Sequence, residues 1–134
     1  MMRSLFFAAL LCLACTAPLR GEEPQKQQVA KRNYLTSLQS KHEGVRNSTI
    51  YRVLQYKAAY ERDDCSAFLK RLQEMSLNDP SPKNRVYAFL ACALLQDAKL
   101  RAAAKPPEWE EEKDAYFASL QELLQRQWAV ANNN

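Results

Sequence analysis

The chain has few residues that break helices and few that build catalytic centres. Its 134 residues include two glycines, six prolines and one histidine. The remainder is rich in Ala, Leu, Gln, Glu, Lys and Arg, the residues that lose least free energy on entering a helix. The composition therefore predicts an all-α domain, and a chain of this length has room for only one.

Long apolar runs are also scarce. The longest lies near the N-terminus, from Leu5 to Ala14, and is too short for the roughly 20 residues that a membrane-spanning helix needs. A cation at Arg3 precedes it, and small and polar residues follow. This order is typical of an export signal. We predict a removable signal over 1–21, one helical domain over 22–131 and a disordered tail over 132–134, in a protein that is periplasmic or secreted if bacterial.

The end of the signal allows two interpretations. Cleavage near Ala17 or Gly21 would release a soluble chain. The alternative is an envelope lipoprotein acylated on Cys15, with the Gln- and Lys-rich segment 25–33 as its tether; against it, Cys12 occupies the position where lipoprotein signals usually have an aliphatic residue.

Motifs for catalysis or cofactor binding are missing. One histidine cannot form a His-Glu-x-x-His zinc site, and neither a Gly-rich phosphate loop nor a Gly-x-Ser-x-Gly elbow occurs. His42-Glu43 is predicted to be a solvated helix C-terminus, and the acidic run Glu108 to Asp114 a solvated first turn. We predict no catalytic residue, no metal and no cofactor.

Five amphipathic helices are predicted from apolar residues at three- and four-residue steps. The first covers about Lys26–Lys41 and stops near Gly44, and the second follows an Asn47 N-cap to Glu61. The third runs from Asp63 or Asp64 to Asn78. The fourth begins at Ser81-Pro82, is apolar from Val86 to Leu95 and ends at Lys105; it is placed at the centre of the bundle. The fifth follows Pro107, with Trp109 and Trp128 on its inner face.

Two successive helix pairs resemble each other, and in their second helices Ile50-Tyr51-x-Val53-Leu54 matches Val86-Tyr87-x-Phe89-Leu90. FLKRLQ at Phe68 echoes YLTSLQ at Tyr34, and a weaker echo, YFASLQ, lies at Tyr116. The spacing Tyr87-x-x-Leu90-Ala91-x-x-Leu94 is similar to the first-helix pattern of tetratricopeptide repeats, Trp-x-x-Leu-Gly-x-x-Tyr, and Tyr51-x-x-Leu54 is a poorer copy. The resemblance covers about residues 47–97 and implies two helical hairpins followed by a C-terminal capping helix. HEAT-like hairpins, or ordinary helix periodicity, would give the same pattern.

Cys65 and Cys92 remain once the signal is removed. Export places them in an oxidising compartment, where paired thiols usually form a disulfide. An antiparallel hairpin of the third and fourth helices would bring them nearly level. We predict a Cys65–Cys92 disulfide, with two buried free thiols as the alternative.

Charge is unevenly distributed. Signal removal takes Arg3 and Arg20, which lowers the net charge from +4 to +2 and argues against nucleic-acid binding. Residues 22–105 then have a net charge of +6 and residues 106–134 of −4.

The polar face of the second helix combines tyrosine with cations, as protein interfaces do. We predict that another protein, with an acidic patch, binds the surface formed by Arg52, Tyr56, Lys57 and Tyr60.

These patterns favour an exported, non-catalytic helical module that binds another protein, such as an adaptor, an enzyme inhibitor or an immunity protein against a delivered toxin. The lipoprotein anchored at Cys15 is the second hypothesis. A small exported hydrolase is the third, and it would need Glu43 to meet Asp63 or Asp64 in the fold.

Overall fold

The computed structural model of the protein describes residues 22–133. Within them the prediction of an all-α bundle is confirmed, and no strand occurs. Residues 22–133 form six α-helices, where five were predicted, and one short 3-10 helix. Their bounds are α1 Glu22–Ser37, α2 Glu43–Ala59, α3 Ser66–Asn78, α4 Pro82–Gln96, α5 Ala98–Ala103, the 3-10 helix Glu110–Glu112 and α6 Lys113–Asn132.

Two consecutive hairpins form the body of the bundle. α1 packs on α2 and α3 packs on α4, while α2 also contacts α4 and α1 contacts α3. α4 contacts α5 and α6 as well, so its predicted central position is confirmed. This is the stacking expected of two helical hairpins followed by a capping helix. The predicted stripes supply most of the core, whose largest fully buried side chains include Tyr51, Phe68, Phe117, Leu38, Ile50, Leu54, Leu72 and Leu120.

The boundary between the first two helices was predicted wrongly. α1 ends at Ser37 and α2 begins at Glu43, with His42 at its N-cap position in extended conformation. Asn47 therefore lies inside α2 instead of capping it, and its Nδ2 donates to Oδ1 of Asn84 at 2.9 Å. Gly44 lies in the first turn of α2 with an ordinary negative φ, so it is not a left-handed helix end. The Asn47 side chain, which the local sequence pattern assigned to an N-cap, thus makes a hydrogen bond to another helix instead.

The helix predicted to run from Pro82 to Lys105 is interrupted at Asp97. The predicted Ser81 N-cap is confirmed, because its hydroxyl accepts from the backbone N–H of Asn84 at 3.3 Å and Pro82 follows it. Asp97 has extended φ and ψ angles, and its carboxylate accepts from the backbone N–H groups of Lys99 and Leu100. It thus ends α4 and caps α5.

The C-terminal helix starts later than predicted, and the two tryptophans that were assigned to its inner face are exposed. The residues from Ala104 to Trp109 form no helix, and α6 begins at Lys113. Trp109 is 63% exposed and Trp128 is 50% exposed, so their predicted places on the inner face are wrong. The buried side chains of α6 are Phe117, Leu120 and Leu124. The helix extends to Asn132, one residue beyond the predicted end of the domain.

Candidate protein-binding site

The predicted binding surface on α2 is not a continuous exposed face. Arg52 is exposed and Tyr60 is half-buried. Tyr56, by contrast, is only 5% exposed and Lys57 only 9% exposed, so the expectation that all four side chains are available on the surface is wrong. α2 lies between α1 and α4, and both sides of the helix are therefore covered.

Tyr56 belongs to an aromatic cluster in the core. Its ring packs edge-on against Phe68, at 5.6 Å between centroids, and also contacts Tyr34 and Tyr60. Its hydroxyl donates to Oδ2 of Asp63 at 2.6 Å. Burial, followed by this bond to a carboxylate, raises the pKa of Tyr56. The side chain is therefore fixed within the core of the fold.

Lys57 lies in the last turn of α2 and bonds to the chain that follows the helix. Its Nζ donates to the carbonyl oxygen of Glu61 at 2.5 Å and to that of Asp63 at 3.2 Å. Both carbonyl groups belong to the loop that follows α2, so the ammonium group ties this loop to the last turn of the helix. The ammonium group therefore has a structural use in the chain itself.

Arg52 meets an acidic group of its own chain. Its Nη2 lies 3.1 Å from Oε2 of Glu110, and the Ser48 hydroxyl donates to the other oxygen of that carboxylate. The bond from Ser48, with the nearby Lys113 and Arg52, lowers the pKa of Glu110. Farther along, Nζ of Lys83 lies 3.0 Å from Oδ2 of Asp114. The basic and acidic parts of the chain thus neutralise each other locally.

The segment 104–110, here called the strap, crosses α2 and connects α5 to α6. The Tyr51 hydroxyl donates to the carbonyl oxygen of Pro107, and Nε2 of Gln55 donates to the carbonyl oxygens of Pro107 and Glu108 at 3.1 and 3.0 Å. The Tyr116 hydroxyl donates to the carbonyl oxygen of Ala104 at 2.8 Å. These bonds, together with the Glu110 pairs, hold the strap against the body of the bundle.

A buried polar network, here called the polar clasp, joins the start of α2 to the turn between α3 and α4. Nε and Nη2 of Arg46 contact the two oxygens of Asp79 at 2.7 and 3.0 Å. The third nitrogen, Nη1, donates to the carbonyl oxygen of Ser40 at 2.9 Å. The Ser81 hydroxyl donates to Oε1 of Glu43 at 2.6 Å, and Nδ2 of Asn84 donates to the carbonyl oxygen of Glu43 at 3.2 Å.

The acidic pair that a hydrolase would need is not assembled. Glu43 opens α2 and belongs to the polar clasp, whereas Asp63 and Asp64 follow the other end of that helix. A helix of this length spans roughly 25 Å, far more than the separation of paired glycosidase carboxylates. Asp63 also accepts from Tyr56 and lies 3.0 Å from Nζ of Lys31.

An accessible apolar site lies in a groove between α4 and α6, here called the Phe89–Trp128 groove. Phe89 is 49% exposed, Val86 is 44% exposed, and the ring of Phe89 lies 6.1 Å from that of Trp128 in an edge-on arrangement. The cavity beside them has a volume of about 320 Å³. Buried Leu90 and Leu124 also line it.

The groove has a polar rim with one cation. Ser76, Gln121 and Gln125 line it together with Arg85. Nη1 of Arg85 donates to the carbonyl oxygen of Asp79 at 2.7 Å, which fixes the guanidinium beside the groove. The arrangement combines apolar and aromatic surface with a positioned arginine, as protein-binding sites do.

This groove was missed by the sequence analysis. Val86 to Leu95 was predicted to be buried on several sides, and Ala88, Leu90, Ala91 and Leu94 are indeed buried. α6 does not cover the side of α4 that carries Val86 and Phe89. Two large apolar residues three positions apart on α4, Val86 and Phe89, were the available signal.

Comparison of the chain with known protein families, curated proteins and solved structures gives no match. The tetratricopeptide resemblance therefore stays a hypothesis. Among residues 22–133, no cluster of His, Cys, Asp and Glu could hold a metal ion, and none of the helices there is long and apolar enough to cross a membrane. Cys15 and the signal lie outside the described residues.

The predicted disulfide is not formed in the structure. Cys65 and Cys92 are both free and buried. In an ideal antiparallel hairpin that turns at Pro80, position 68 is level with Cys92, so Cys65 is offset from Cys92 by three residues, or about 4.5 Å along the axis. Cys65 also precedes the first residue of α3, where the chain leaves the helix.

We expect both thiols to be unreactive in the folded protein. Burial raises the pKa of Cys92 to about 11 and also raises the pKa of Cys65, so little thiolate is present at neutral pH. In chain 22–134, Ellman's reagent should react slowly before denaturation and should titrate two thiols in guanidinium chloride without reductant. Titration of no thiol in denaturant would instead establish the disulfide.

Proposed function

We propose that the protein is an exported, non-catalytic module that binds another protein through the Phe89–Trp128 groove. The observation that supports this most directly is the exposure of Phe89, Val86 and Trp128 around one cavity. Aromatic residues and arginine dominate the binding energy of protein interfaces. The groove replaces the predicted α2 surface, whose tyrosine and lysine at positions 56 and 57 are buried.

The occupant that fits is an amphipathic helix of a partner, with large apolar side chains on one face and a carboxylate beside them. A groove between two helices accepts the apolar stripe of a third helix. Arg85 is the cation on the rim, and its fixed position favours an acidic residue in the partner. Adaptors, enzyme inhibitors and toxin-immunity proteins would all use such a site.

Selection from a library of displayed helical peptides tests this proposal and needs no identified partner. Peptides selected on the protein should be enriched in apolar residues three and four positions apart, with Asp or Glu alongside. In a Trp109→Phe background, binding should blue-shift the fluorescence of Trp128. Phe89→Ala should weaken binding about 30-fold, because truncating a central aromatic anchor costs about 2 kcal/mol.

Val29→Ala is the matched control, since Val29 is a similarly exposed apolar residue on α1 that does not line the groove. It should leave peptide affinity unchanged. Amide replacements of the peptide carboxylates should weaken binding at low salt, and added salt should reduce the difference. Selected peptides that bind the Phe89→Ala variant equally well would contradict the proposal. Sedimentation as a dimer that Phe89→Ala dissociates would show instead that a second copy fills the groove.

A further inference from the structure

A second cavity, separate from the groove, lies where α2, α4 and α5 meet. Its volume is about 350 Å³, which is within the range of small-molecule sites, about 300–1,000 Å³. Leu54 and Leu94, both buried, form an apolar floor, and Ala58 and Pro106 extend the apolar wall. We call it the α5 cavity.

Cations predominate around the α5 cavity. Lys57, Arg101 and Lys105 line it, against one acidic residue, Glu61. Lys57 is held by two backbone carbonyl groups at the end of α2, and an ammonium group has three donors. The apolar floor and the basic wall together favour a ligand with an apolar body and a negative charge.

Arg101 supplies a donor that lacks an acceptor. Its Nη1 donates to the carbonyl oxygens of Leu94 and Leu95 at 3.1 and 2.8 Å, which fixes the guanidinium at the end of α4. Its Nε is buried and has no hydrogen-bond partner in the described part of the chain. The nearest carboxylate oxygen, Oε1 of Glu61, lies 3.6 Å away, and a buried donor left unpaired costs free energy.

We propose that the α5 cavity binds a small carboxylic acid with an apolar body. The hydrocarbon part contacts Leu54 and Leu94, while the carboxylate takes the place of the exposed Glu61 side chain beside Nε of Arg101 and lies near Lys105. A carboxylate matches the guanidinium in shape and charge. This site is independent of the partner groove, so either proposal can fail without the other.

Octanoate is the probe, and octanamide and inorganic phosphate are its comparisons. We expect octanoate to bind saturably to the purified protein by calorimetry and to shift the methyl resonances of Leu54 and Leu94. Octanamide has the apolar body without the charge, and phosphate has the charge without the apolar body. Both should bind less tightly than octanoate.

Lys105→Gln should weaken octanoate binding up to about fivefold, as expected for one exposed ion pair. Lys105 is exposed, so this substitution avoids the helix-capping bonds that Arg101→Gln would remove. Lys99→Gln is the matched control, because Lys99 is an exposed lysine of α5 outside the cavity. It should not change the affinity. Phe89→Ala should not change it either, which separates this site from the groove.

Three results would overturn the proposal. They are the absence of saturable octanoate binding, equal affinity for octanoate and octanamide, and unchanged octanoate affinity in both Lys105→Gln and Arg101→Gln.

Discussion

Asp79→Ala is expected to destabilise the protein by about 3–5 kcal/mol, because it leaves a buried arginine without its counter-ion. Arg46 is buried and makes two bonds to the Asp79 carboxylate. That carboxylate also accepts from the backbone N–H of Ser81. The loss is a large part of the 5–15 kcal/mol that stabilises an ordinary domain. Urea denaturation followed by circular dichroism measures it.

The control replaces both charges. An Arg46→Met, Asp79→Leu variant should be less destabilised than Asp79→Ala, since no charge is then buried alone.

Burial acts to raise the pKa of Asp79, but the bonds from Arg46 and Ser81 outweigh it and the pKa is lowered. Its contribution to stability is thus present above the unfolded pKa of about 3.9 and is lost as pH falls through the folded value. A change below 1 kcal/mol in Asp79→Ala would contradict this account of the clasp.

A chain that ends at Lys105 is expected to lose cooperative unfolding. Truncation there removes most of the strap and all of α6, whose Phe117, Leu120 and Leu124 are buried in the core. Burial of each such side chain contributes about 1.5–3 kcal/mol, so the loss of roughly 5–9 kcal/mol approaches the whole stability of a domain. Thermal melting of the fragment 22–105, followed by circular dichroism, tests this.

The matched control ends after Gln127, because every described residue from Trp128 onward is exposed. That chain should keep a cooperative transition close to that of the parent. If the fragment 22–105 also melts cooperatively, α6 is a separate arm and its burial against α4 does not hold the bundle together.

Local spacing was sufficient to predict the helices and most of the core. Ile50 and Leu54 on α2, and Phe68 and Leu72 on α3, are buried as their periodicity indicates. Helix boundaries were less predictable, because caps depend on which partner a polar side chain finds. Asn47 has the residue type of an N-cap, yet it bonds to Asn84, which lies far along the chain.

The candidate site could not be predicted from residue type alone. Tyr56 and Lys57 lie outside the first apolar stripe of α2, but packing by α1 and α4 covers a second side of that helix. The converse holds for Phe89, which belongs to an apolar run and remains exposed. The uneven distribution of charge was visible in the sequence. The pairing of Arg52 with Glu110 could not be predicted, because it depends on how the strap crosses α2.

The strap is held mainly through atoms that every amino acid has. Tyr51 and Gln55 donate to main-chain oxygens of Pro107 and Glu108, and Trp109 keeps its own side chain in solvent. The exposed side chains of Glu108 and Trp109 are therefore not recognised by the body of the protein. During evolution these two positions can change while the strap keeps the same path, whereas mutation at Tyr51 or Gln55 would remove bonds that hold it.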